Sequence, residues 1–147
     1  MNYSLAALKV LCEQLKEARE MASQTQKAMS LGGILFQRVW LQGILVCVEE
    51  EKNHFILDDG TGLIQLSLSA SADARLLRSW TLGMYIMVVG AFLLPTSTST
   101  STHHHLPIVK VHKMVDLSGF PDREAMWYLE VIESYKLFYQ PLIDDFV

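Results

Sequence analysis

Gln37-Arg38-Val39-Trp40-Leu41-Gln42-Gly43-Ile44-Leu45-Val46-Cys47-Val48 is a long alternating run broken by one glycine, and its reading decides the fold. Alternation of this kind predicts a β-strand whose two faces meet different surroundings. Gly43 lets the backbone kink without a clashing side chain, which the first strand of a small barrel needs at its corner. Outward from it, Phe55-Ile56-Leu57-Asp58 and Leu63-Ile64-Gln65-Leu66-Ser67-Leu68 are two further apolar runs. Asp59-Gly60-Thr61-Gly62 joins them and supplies the positive-φ positions of a tight hairpin. Three strands in this order open an OB-fold, a barrel that binds single-stranded nucleic acid or a second OB subunit.

The rest of the chain fills in the barrel. Ala72 to Trp80, with Ala74 and Leu77 on an apolar side and Asp73, Arg75 and Arg78 opposite, falls where an OB-fold places the helix that plugs its barrel. Gly83 to Phe92 is nearly continuously apolar and predicts a fourth strand in contact on both faces. Ile108 to Leu117 alternates as a fifth, after a Ser/Thr repeat over Thr96 to Thr102 and His103-His104-His105 that reads as the loop between them. A closing helix starts at Pro121 or Asp122 and reaches its limit at Pro141, leaving a frayed acidic tail, Asp144-Asp145. Upstream, Ser4 followed by Leu5, Leu8, Leu11, Leu15 and Ala18 predicts an N-capped amphipathic helix, while Leu8, Val10 and Cys12 also alternate and leave a strand start open. Ser23 to Gly33 reads as a linker. The expected fold class is mainly β with flanking helices: a single OB-fold five-stranded barrel with an N-terminal helix or extension and a C-terminal helix. The expected division is an N-terminal segment over 1–33, the barrel over 34–120 and an interface helix with its tail over 121–147.

Composition limits what such a barrel does. At 147 residues and 50% hydrophobic, the chain fills one core and leaves no room for a second domain. A net charge of -4 argues against a protein that holds DNA alone through phosphate contacts. Cys12 and Cys47 lack the spacing of a disulfide framework, and Met1-Asn2-Tyr3-Ser4 lacks a signal-peptide n-region. Met84 to Leu94 is the longest apolar run and falls short of the roughly 20 residues that span a bilayer. The expectation is a soluble intracellular protein with no membrane association.

No catalytic constellation is legible. Asp58 and Asp59 sit beside Gly60, where turn chemistry favours aspartate. The histidine run has no orienting neighbours for a metal, Cys47 has no base beside it, and no phosphate-cradling glycine motif occurs, so no enzyme, cofactor or metal site is expected. Trp40, Phe55, Tyr85 and Phe92 lie on strands that carry base-stacking platforms in OB-folds, but without flanking cations they read as core or interface. The closing helix carries the strongest lead: at about 100° per residue, Trp127, Phe138, Val131, Tyr135, Tyr128, Ile132, Ala125 and Leu129 span an arc of roughly 200°. Docking on the barrel alone needs about half that width, so the surplus points to a second protein, unless barrel and N-terminal segment cover the whole arc. The competing reading is a single-stranded nucleic-acid-binding module of replication or telomere type.

Several segments together resemble the RecQ-mediated genome instability protein 2 family: Leu8-Lys9-Val10-Leu11 with Glu13-Gln14-Leu15, Val39-Trp40 with Gln42-Gly43, Gly83 with Tyr85 and Met87-Val88, Gly90, Lys113-Met114 with Asp116-Leu117-Ser118, and Trp127 with Leu129-Glu130-Val131. One departure is Met84, where the family pattern carries Lys. The resemblance implies a non-catalytic subunit, without a cofactor, that pairs with the OB domain of a sister subunit, the RecQ-mediated genome instability protein 1 type, partly through the closing helices. It further implies a nuclear complex with topoisomerase III and a RecQ helicase that dissolves double Holliday junctions, with weak or no DNA binding by this chain alone. Lys9, Trp40 and Lys113 match positions expected at or near the partner interface, and Trp127, Tyr128, Val131 and Tyr135 fall on the closing helix expected to meet that partner.

Overall fold

The long alternating run serves two sets of partners. In the computed structural model, which describes residues 6–21, 28–49, 51, 53–69, 74–95 and 105–144, the elements in order are β1 (Leu8–Lys9), α1 (Cys12–Leu15), β2 (Arg19–Met21), β3 (Ala28–Leu31), β4 (Ile34–Phe36), β5 (Arg38–Glu49), β6 (His54–Asp58), β7 (Leu63–Ser67), α2 (Ala74–Ser79), β8 (Tyr85–Leu93), β9 (Ile108–Asp116), α3 (Asp122–Ser134), a π-helical segment (Tyr135–Tyr139) and α4 (Gln140–Asp144). The first half of β5, Arg38 to Ile44, pairs with β8, and its second half, Ile44 to Glu49, pairs with β6. The switch falls at Ile44, and at the neighbouring Gly43 a Cβ would stand 2.5 Å from the Asp58 carbonyl oxygen, so the backbones close here only around glycine. A bulge between Leu45 and Cys47 adds to the bend.

The strands close in the order β5-β6-β7-β9-β8 and back to β5, with β7 and β9 parallel and the other barrel pairs antiparallel. This is the five-stranded OB barrel. Val39, Leu41 and Leu45 from β5, Phe55 and Leu57 from β6, Ile64 and Leu66 from β7, Ile86 and Val88 from β8 and Val109 from β9 fill its interior. Each contributes about 1.5–3 kcal/mol by leaving water. Leu77 of α2 and the following Trp80 are buried in the same core, as the barrel plug requires. Met84, the departure from the family pattern, packs against that core, and its sulfur accepts the Thr81 N–H at 3.3 Å.

The N-terminal segment departs from the helical expectation. Leu8 and Val10 both bury, which a strand allows and a helix does not, since residues two apart point to opposite sides of a helix. β1 therefore lies parallel beside β5, Leu8 opposite Val39 and Lys9 opposite Trp40, and only one helical turn follows. Much of the stretch read as a linker is also ordered. β2, β3 and β4 form a small antiparallel sheet, Met29 and Leu31 turn inward, and Gly32 and Gly33, at φ 57° and 93°, make the β3–β4 turn. Ser4, the Thr96 to Thr102 repeat, His103, His104 and Asp145 lie outside the described residues.

Pro141 does not end the closing helix as expected. The Gln140 N–H reaches the Tyr135 carbonyl in a wider π-turn, and the helix continues without a break through Pro141 into the turn of α4. Asp144 is the last residue of that turn.

Candidate partner interface

α3 has an inner and an outer apolar face. Trp127 and Val131 are each 1% exposed, and the Trp127 ring stacks on Trp40 of β5 with centroids 6.3 Å apart. Lys9 completes the layer, its Nζ 4.6 Å from the Trp40 ring centroid and 3.9 Å from Glu130 Oε2 on α3, while Arg123 reaches the other Glu130 oxygen at 4.0 Å. Further along, the Lys9 N–H donates to the Tyr139 hydroxyl at 3.1 Å. At the other end the Tyr128 hydroxyl donates to the Asp59 carbonyl, tying α3 to the β6–β7 hairpin. Burial raises the Tyr128 and Tyr139 hydroxyl pKa values, and for Tyr128 the charge on Asp59 adds to the rise.

Of the residues expected at a partner surface, the structure thus brings Lys9, Trp40 and Trp127 together within one chain, ties Tyr128 to the β6–β7 hairpin and buries Val131 on the same helix. Tyr135 is half-buried and borders an open groove of about 610 Å³ with Gln14, Glu17, Arg19, Ser30, Leu31 and the Gly32-Gly33 turn. Lys113 stands apart and exposed on β9, opposite Val89, which is itself opposite Trp40. The face of α3 turned to solvent carries Met126, Leu129 and Ile132, with Leu137 beyond it; Leu129 is 67% exposed. Leu129 and Ile132 lie within the arc read from sequence, whereas Met126 and Leu137 do not. Periodicity marks a broad apolar arc without saying which half meets the barrel.

The hairpin aspartates do structural work. Asp59 is buried, and its Oδ1 accepts the Thr61 N–H at 2.9 Å, the Thr61 hydroxyl at 2.7 Å and the Gly62 N–H at 3.1 Å. Its Oδ2 accepts the Cys12 N–H at 2.7 Å, so the hairpin caps the first turn of α1 from across the molecule. Asp58 accepts the Gly60 N–H at 2.8 Å. Phe55 and Phe92 are core residues and Trp40 lies against Trp127, so none of these three rings is free to stack a base. Tyr85 donates to Gln42 Oε1 at 3.1 Å in a small pocket of about 110 Å³ bordered by Asp58, Glu124 and Tyr128. Among the described residues no group of three His, Cys, Asp or Glu side chains could hold a metal, and no helix is long and apolar enough to cross a membrane.

Barrel, plug and seated C-terminal helix define an OB-fold protein. The fold is similar to the S. pombe Stn1–Ten1 complex (TM-score 0.65, 13% identity, covering 82% of this chain and 85% of that one) and to yeast replication protein A bound to single-stranded DNA (TM-score 0.64, 17% identity, 95% and 98%). Residues 6–135 match the RecQ-mediated genome instability protein 2 family, and the Gallus gallus RecQ-mediated genome instability protein 2 is 30% identical over 135 residues, covering 88% of this chain and 92% of its relative. The chain belongs to the RecQ-mediated genome instability protein 2 family and is a non-catalytic OB-fold protein of genome stability.

Proposed function

We propose that this chain pairs with a sister OB-fold subunit, of the RecQ-mediated genome instability protein 1 type, in a nuclear complex with a RecQ helicase and topoisomerase III that dissolves double Holliday junctions. The observation that carries the reading is the outer face of α3. Met126, Leu129 and Ile132 project from a helix whose inner face is already spent on Trp40 and the barrel. Contiguous exposed apolar side chains on a rigid element mark a protein contact, because a lone chain gains nothing by holding them in water. Lys9, Trp40, Trp127, Tyr128 and Val131 then act as positioning residues, which fix the helix at the angle the partner meets. Tyr135 beside the open groove and Lys113 on β9 are further proposed contact positions.

The test is co-purification of the full chain with the sister subunit, using Leu129→Glu and Ile132→Glu. A charge on the outer face is expected to abolish pairing while the melting temperature stays near that of the unsubstituted chain. Pairing that survives both substitutions would sink the reading. Tight, salt-sensitive binding of single-stranded DNA by the chain alone would favour the nucleic-acid module instead.

A further inference from the structure

Four large aliphatic side chains stand exposed around the hairpin end of β5, β6 and β7. Ile44 lies opposite Asp58 and Asp58 opposite Leu63, so the three form one outward row across these strands. Val46 follows at the bulge of β5, two residues on. The Gly83 N–H donates to the Leu45 carbonyl at 2.9 Å and sets the turn that carries Leu82 against the same stretch of β5. Ile44, Val46, Leu63 and Leu82 are between 37% and 64% exposed, although their neighbours Leu45, Leu57 and Ile64 fill the barrel. Exposed aliphatics gathered on a rigid sheet mark a contact surface.

A pocket of about 110 Å³ adjoins the row, sharing Ile44 and Asp58 with it and bordered further by Gln42, Tyr85, Glu124 and Tyr128. Its lining carries carboxylates and no Lys, Arg or His. Asp58 spends one oxygen on the Gly60 N–H, and neither Asp58 nor Glu124 forms an ion pair among the described residues. Burial and the Glu124 charge raise the Tyr85 hydroxyl pKa, and burial raises that of Tyr128, so both phenols stay neutral and the pocket's charge is that of its carboxylates. Such a pocket matches one ammonium or guanidinium group, drawn by the carboxylates and by the tyrosine rings. OB-folds take nucleic acid on the face of their second and third strands, here β6 and β7. The middle of that face is closed, with Ile56 and Gln65 buried, and a phosphate backbone laid over its open end would meet Asp58 and Glu124, charges of its own sign. We infer that the aliphatic patch and the pocket beside it dock an extended basic segment of a further protein, with its aliphatic side chains on Ile44, Val46, Leu63 and Leu82 and one lysine or arginine in the pocket. The inference stands apart from the pairing reading, which rests on Met126, Leu129 and Ile132.

The experiment follows amide NMR shifts of the isotope-labelled full-length chain during titration with the N-acetylated, C-amidated peptide Leu-Ser-Lys-Ser-Leu, whose leucines and lysine share one face when extended. Its controls carry norleucine or glutamate in place of the lysine. The lysine peptide is expected to shift the amides of Ile44, Leu63 and Tyr128 and to bind about tenfold more tightly than the norleucine peptide at about 50 mM NaCl, a preference that shrinks at about 300 mM. The double variant Asp58→Asn/Glu124→Gln is expected to lose the preference at an unchanged melting temperature, and Glu124→Gln alone, at an exposed helix position, to reduce it even if the double variant melts early. Equal shifts by all three peptides, or none by any of them, overturn the inference, as does a lysine preference that survives in both variants. Shifts of the same amides by a single-stranded oligothymidine, and not by the lysine peptide, overturn it in favour of nucleic acid.

Discussion

Trp127 and Trp40 stack within one chain, planes 30° from parallel, with the Lys9 ammonium 4.6 Å from the Trp40 ring centroid. The closing helix is thereby fastened to the barrel before any partner arrives. A pre-set helix spares the ordering cost that a mobile one would meet on binding. Lys9, Trp40 and Trp127 therefore set the geometry of the helix, and on the reading proposed above the partner meets the exposed aliphatics around Leu129.

Truncating the fastener weakens the fold itself. Trp127→Ala is expected to cost about 3–5 kcal/mol, the range for a large buried aromatic. Trp127→Phe costs less, about 1–2 kcal/mol, because the indole N–H is buried with no acceptor among the described residues and its removal leaves nothing unpaired. Urea unfolding of the chain alone gives both values. Equal losses for the two variants would mean that the donor has a partner or that ring size is immaterial.

Gly43→Ala tests the barrel's corner. The added Cβ would lie 2.5 Å from the Asp58 carbonyl oxygen and 2.9 Å from its carbon, both backbone atoms that cannot rotate away. β5 and β6 must part, and the expected loss is about 2–4 kcal/mol, above the usual range for overpacking by one methyl because backbone must move. Thermal melting reads it directly. A variant as stable as the unsubstituted chain would show that the strands separate at no cost.

Strand order, plug helix and closing helix were legible because each has its own periodicity and punctuation: Gly43 inside one run, Asp59 to Gly62 between two, Asp122 at the head of a third. The N-terminal portion was not. Leu5, Leu8, Leu11 and Leu15 match a helix, Leu8, Val10 and Cys12 match a strand, and only the free edge of β5 decides between them. Gly32-Gly33 reads equally as a linker or a hairpin turn until Met29 and Leu31 find a core. At the site, the arc of α3 was visible, but its division into a barrel face and an outer face depends on where Trp40 stands. That is a tertiary fact.

The Asp59 carboxylate ties the β6–β7 hairpin to the start of α1, and its removal should loosen the two together. Asp59→Ala leaves the Cys12, Thr61 and Gly62 N–H groups without their acceptor, for an expected loss of about 3–5 kcal/mol. Asp59→Asn keeps one acceptor oxygen but turns an amide N–H₂ toward another donor, and should cost about 1–3 kcal/mol. Hydrogen exchange at Cys12 and Thr61 tracks the cause. Unchanged protection of Cys12 in the alanine variant would rule out the cap across the molecule.

Cys12 gives the fold an alkaline limit. Burial pushes its thiol pKa well above the ordinary 9.0, and the neighbouring Asp59 charge adds to the rise. A group whose pKa is raised on folding keeps its full contribution below the unfolded value and loses it as pH climbs beyond. Stability should therefore be level up to about pH 9 and then fall by about 1.4 kcal/mol per pH unit, as the unfolded thiol ionises and the folded one does not. Tyr85, Tyr128 and Tyr139 are also raised, but from an ordinary 10.0, so the interval from 9.0 to 10.0 belongs chiefly to the thiol. Urea midpoints between these pH values should decline for the unsubstituted chain and stay level for Cys12→Ala. The same decline in both would assign the alkaline loss to other groups and leave Cys12 a filler of the core.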